Sequence, residues 1–122
     1  MVEELVGEYI LAHTTLQKGV DLFIGALPGD FSEGCAVQTH TNNGSRGSLN
    51  FALMTVVMFY SQYATGNDLA ISIQKALQLQ VGAEDGNFAV LDPVTMRYYG
   101  LDSLGRNLFA VTFQICYDAE TL

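Results

Sequence analysis

The run from Leu49 to Tyr60 is rich in Phe, Val, Thr, Met and Tyr and is apolar at both odd and even positions. Successive side chains of a strand point to opposite faces, so this pattern predicts one long strand covered on both sides. Helices on one face and some other partner on the second would satisfy it. The longest apolar stretch, Phe51 to Tyr60, contains Thr55 and is far shorter than the roughly 20 residues a membrane helix needs, so no transmembrane segment is expected.

The other segments arrange themselves around that strand. Val2, Leu5, Val6, Tyr9, Ile10, His13 and Leu16 recur at spacings of three and four, which predicts an amphipathic helix over about 2–17. Its other face carries Glu3, Glu4 and Glu8, acids that suit the N-terminal end of a helix dipole, and Lys18-Gly19 supplies its stop. His13 reads as a partly buried helix residue and His40 as a surface strand end. Short strands are expected at Val20–Ile24 and at Cys35–His40. Thr41 to Ser48 holds only small, polar or turn-forming residues apart from Arg46, and predicts an exposed, mobile contact loop. Thr65-Gly66-Asn67-Asp68 reads as a capping cluster for a second helix over about 68–80, ended by Val81-Gly82 and a turn at Ala83–Gly86. Strands at Asn87–Leu91, Thr95–Tyr99 and Asn107–Tyr117 complete the chain. In the last of these, Phe109, Val111, Phe113, Ile115 and Tyr117 make one strongly apolar face, which belongs against the helices. The fold class is therefore α+β, one domain over 1–122, with a central, mostly antiparallel sheet and an N-terminal helix and a second helix packed on one face.

Composition narrows the function. The chain has 122 residues, 49% hydrophobic and 15% charged, with thirteen acids against five bases and a net charge of −8. So many apolar residues with so few charges point to surface hidden by partner subunits. The bases Lys18, Arg46, Lys75, Arg97 and Arg106 are scattered singly, which argues against a groove for a nucleic acid backbone. The chain opens Met-Val-Glu-Glu, without the basic and apolar regions of a signal peptide, and an intracellular product is expected. Cys35 and Cys116 lack metal-ligand spacing and read as reduced, half-buried strand residues. No nucleophile–histidine pairing, clustered metal ligands or phosphate-cradling loop occurs in the pattern; Gly44-Ser45-Arg46-Gly47-Ser48 lacks the Gly-Lys-Ser/Thr ending. No enzyme activity, cofactor or metal is expected.

Two segments carry a resemblance. Gly19-Val20-Asp21-Leu22-Phe23-Ile24-Gly25-Ala26-Leu27-Pro28, followed by the Cys35-Ala36-Val37 strand, resembles the entry segment of tailed-bacteriophage minor capsid proteins related to tail terminators. Gly100-Leu101-Asp102-Ser103-Leu104-Gly105-Arg106, followed by Phe109, Val111 and Phe113, is similar to that family's closing turn and strand, with Leu101 standing where the family usually carries a base. The similarity runs from about 19 to 117. It implies a structural virion protein of the tail and neck, made in the host cytoplasm. Copies would form a ring, hexameric by the family's pattern, that caps the head-proximal end of the tail tube, stops polymerisation and joins the tail to the head connector. The implied partners are further copies of the chain, the tail tube protein and a head-tail connector or head-closure protein. Genomic DNA would pass through the lumen without specific binding, and no membrane is involved. Asn42, Asn43 and Arg46 in the polar loop and Asp102 and Arg106 in the turn are the candidate subunit or tube contacts, with Gly100 and Gly105 shaping the turn. A head-completion or connector ring is the alternative within the same assembly, and a small-molecule-binding or enzymatic α+β domain is the remote one.

Overall fold

The computed structural model describes residues 2–46, 49–80 and 88–118. The chain runs α1 (Val2–His13), β1 (Leu22–Ile24), β2 (Gly34–Arg46), β3 (Leu49–Tyr60), α2 (Tyr63–Leu79), β4 (Phe88–Leu101) and β5 (Asn107–Asp118). The five strands form one sheet in the order β1-β2-β3-β5-β4, antiparallel throughout except for the β1–β2 pair. The α+β class with both helices on the sheet follows the expectation.

Both helices lie against one face, and alternation in the strands decides which side chains meet them. On β3 these are Ala52, Met54, Val56, Met58 and Tyr60, and on β5 Phe109, Val111, Phe113, Ile115 and Tyr117. They pack with Val2, Val6 and Ile10 of α1 and Ala70, Ile73 and Leu77 of α2 in one core. Gly66 permits the closest approach. A Cβ there would lie 2.6 Å from the buried Phe109 ring, so a helix-disfavoured residue is kept inside α2 for packing.

Several boundaries depart from the expectation, each for a local reason. Helix α1 stops at His13 rather than near 17. Thr14 turns its hydroxyl back to the Ile10 carbonyl, and Gln17 collects the backbone N–H groups of Val20, Asp21 and Leu22 while its own N–H donates to Asp21 Oδ1. Those bonds make 17–22 a tight turn and shorten β1 to Leu22–Ile24. His13 is exposed, not partly buried, and stacks on Tyr9 with ring centroids 4.2 Å apart. Helix α2 begins at Tyr63, five residues before the expected start; its N-cap, Gln62, makes no side-chain cap bond, and Gly66 serves packing instead of capping. The segments expected at 87–91 and 95–99 are one strand, β4, with its pairing interrupted between Leu91 and Thr95, where Pro93 lacks the N–H a regular ladder needs. The helix stop and turn expected at 81–86 lie outside the described residues.

The largest correction concerns the polar segment after His40. It is not a loop but the second half of β2, with Thr41 opposite Leu53, Asn42 opposite Ala52, Ser45 opposite Asn50 and Arg46 opposite Leu49. The turn-forming residues are taken up by register shifts between Thr39 and Thr41 and between Asn42 and Ser45. The cause is β3: its first residues already pair with β5 at Asp118 to Gln114, and their other edge needs a hydrogen-bonding partner whatever its side chains. Gly47 and Ser48 lie outside the described residues.

Candidate functional site

The second face of the sheet is where the expectation of a doubly covered β3 meets the structure. Helices cover one side; on the other, Phe51, Leu53, Thr55, Val57 and Phe59 are only half-buried. Their partners across the ladder are Cys116, Gln114, Thr112, Ala110 and Leu108. None of these ten residues carries a charge, in a chain of net −8. Among the described residues no helix lies over them. At the centre is a hollow of about 400 Å³ with His40, Leu53, Val57, Tyr99 and Leu108 among its walls.

One end of this face is closed by the chain itself. The segment joining β1 to β2 brings Phe31 against Phe23 and Phe59, with ring centroids 6.4 and 5.4 Å apart in edge-to-face arrangements. Arg106 lies against the rings of Phe31 and Phe59, at 4.6 and 4.8 Å, and donates to the carbonyls of Phe31 and Ser32. Its Nε and Nη2 reach Asp102 Oδ2 at 2.9 and 2.8 Å, a two-pronged pair only about 15% exposed. Asp102 also holds the β4–β5 turn together, since its Oδ1 accepts from the backbone N–H groups of Leu104 and Arg106 at 3.0 and 2.8 Å. The Arg106 N–H bond is the largest influence on the Asp102 carboxyl; burial, the next, opposes it, and the guanidinium bond, the Leu104 N–H and the Arg106 charge add to the first, so the carboxyl stays below its ordinary value.

The five residues expected at contacts therefore separate. Asp102 and Arg106 meet, and their visible work is intramolecular: they shape one turn and pin the Phe31 segment. Gly100 and Gly105 flank them at φ +90° and +77°, as a turn of this tightness requires. The backbones of Asn42, Asn43 and Arg46 belong to β2, and Asn43 falls in the irregular stretch between paired positions. Residue pattern alone missed Phe31 and Asn107. Asn107 is buried, donates to the Tyr60 and Ser61 carbonyls at 3.2 Å and accepts from the Tyr98 hydroxyl at 2.7 Å, fixing the corner between β3 and α2. A polar residue at the head of the apolar row Phe109, Val111, Phe113, Ile115 and Tyr117 was the one available sign of it.

The two thiols differ sharply. Cys35 is buried on the helix side, where desolvation and then the charge of Asp21 push its pKa up to about 12; Cys116 is half-buried on the open face. Both are free; the half-buried position expected for both holds for Cys116 and not for Cys35, which the helix side covers completely. Among the described residues no group of three His, Cys, Asp or Glu is placed to hold a metal ion. Compared with known proteins, the chain matches no family model and no curated protein.

Proposed function

We propose that this chain is a structural subunit of a tailed-phage virion, a ring former that caps the head-proximal end of the tail tube, terminates its polymerisation and joins tail to head connector. The observation that carries the assembly part is the open face of β3 and β5: ten uncharged positions, largely apolar, with no covering element among the described residues. Such a face on a small soluble chain marks a protein contact. The phage assignment rests on the resemblance of Gly19–Pro28 and Gly100–Arg106 to the tail-terminator family. Growth of a tube stops when a ring presents one side that fits the last tube layer and another that recruits no further tube subunit. Six copies at −8 each carry about −48, and carboxylates lining a bore repel passing phosphates instead of binding them.

The test combines particle mass with thiol chemistry on the purified chain, with and without tail tubes. Rings in negative stain, a mass of six copies and loss of Cys116 alkylation on assembly are expected. A chain that stays monomeric beside tubes and connector, with Cys116 reactive throughout, overturns the reading.

A further inference from the structure

An edge strand is a template for a further strand, and the outer edge of β4 is treated differently along its length. Its first half is capped by α2 and the residue that ends it. The Gln80 side chain donates to the Phe88 carbonyl at 2.8 Å, the Val90 N–H donates to the Gln80 carbonyl at 3.3 Å, and the Gln74 side chain donates to the Val94 carbonyl at 3.0 Å. These bonds show that the even-numbered residues of β4 turn their backbone groups away from β5. The unshifted pairing from Thr95 to Tyr98 carries the same alternation on to Met96 and Tyr98. Among the described residues nothing caps the outward groups of those two. The molecule closes one half of this edge and leaves the other open, held extended by β5.

The side chains beside the open half define what fits it. On one face Arg97 is exposed and lies over the Tyr99 ring at 5.2 Å, and among the described residues no carboxylate pairs with it. On the other face Tyr63 and Tyr98 meet edge to face at 5.1 Å and stay 51% and 39% exposed.

We propose that the open half of the β4 edge takes an extended acidic segment of a partner protein as a sixth strand. A carboxylate of that segment lies against Arg97 and an apolar side chain against Tyr63 and Tyr98. The backbone selects the class of occupant: outward N–H and C=O groups at every second residue are satisfied together by another extended chain, not by a lipid or a nucleic acid. Charge selects within that class. In a chain with thirteen acids and five bases, the one charge at this stretch of edge is an exposed arginine, which favours an acidic neighbour across the ladder and repels a basic one. Alternation does the rest, since a strand that turns its carboxylates to the arginine face turns the residues between them to the tyrosine face. The proposal does not depend on the ring reading.

The probe is a capped, fluorescently labelled peptide of about eight residues, an ordinary strand length, alternating Val and Glu. It should bind the folded chain in anisotropy titrations and slow hydrogen exchange at the Met96 and Tyr98 amides. The same peptide with Lys in place of Glu should bind at least about tenfold more weakly, and Arg97→Glu, verified as folded by circular dichroism, should reverse that preference. N-methylation of alternate amides of the peptide should abolish binding on one parity and be tolerated on the other, because only one of its edges joins the ladder. Equal affinity for the Glu and Lys forms, tolerance of methylation on both parities, or unchanged exchange at Met96 and Tyr98 overturns the proposal. So does the absence of binding up to about 1 mM peptide. A wild type that protects these two amides by itself, with the protection lost on dilution, also overturns it and makes a second copy the occupant.

Discussion

The two faces of this sheet are built from the same strands and differ only in parity. On β3, Met54, Val56 and Met58 are fully buried under α1 and α2, while Thr55, Val57 and Phe59 between them are half-exposed. On the helix side large side chains interdigitate closely enough to require a glycine at 66. On the other side the residues are comparably apolar but, among the described residues, no helix covers them, and Phe31 and Arg106 close one end. The difference teaches that apolarity in a sequence does not by itself say how much cover the chain supplies: two rows of similar composition on the same strands end with different burial.

The comparison breaks most visibly where packing is densest. Phe109→Ala should lose about 3–5 kcal/mol of unfolding free energy, read as a lower urea midpoint at unchanged slope, because the helices cannot collapse fully into the space. Gly66→Ala sharpens the same side: a methyl group 2.6 Å from that ring outweighs the gain in helix propensity, and a net loss of about 1–3 kcal/mol is expected. At the closed end of the open face, Arg106→Ala should lower the midpoint more than Lys18→Ala, since the Lys18–Glu8 pair is 3.5 Å apart and more than half exposed. Proteolysis within 25–33 should accelerate with it. Acid titration of the midpoint reads Asp102. Its folded pKa lies below the ordinary 3.8, so its contribution is complete above that value and fades as pH falls through the lower, folded one. Asp102→Asn should therefore show a shallower loss below pH 3.8 than the wild type. The smallest effect belongs to the open face itself: Val57→Thr in the isolated chain should stay within about 0.5 kcal/mol, and a larger loss means the face is covered after all.

Much of the architecture was legible in the residues, and the failures have physical causes. The bounds of β3 come from a run that is apolar at both parities, and the helix-facing parity of β5 from alternation, a signal every residue reinforces. Where local preference and tertiary pairing disagreed, pairing won: Asn42 to Arg46 favour turns, yet the free edge of β3 draws them into β2. The capping look of Thr65 to Asp68 misled because Gly66 answers to Phe109, 43 positions along the chain, which no local pattern records. Of the candidate site, Asp102 and Arg106 were legible as turn residues, but their pairing with each other and the hold of Arg106 on Phe31 were not, the latter because it depends on a contact across 75 residues. The second cover that the double-sided pattern of β3 demands was legible as a need and not as a partner.

The strand order has a consequence for how the chain is made. β3 pairs with β5, from Leu49 opposite Asp118 to Tyr60 opposite Asn107, so the middle of the sheet joins residues that leave the ribosome roughly 50 to 70 positions apart. Until β5 arrives, β3 presents an apolar ribbon with one raw edge and β4 has nothing to pair with. Such distant pairing slows folding and prolongs exposure to aggregation. A nascent chain stopped before residue 107 holds most of the hydrophobic residues of the finished protein and none of its closing strand.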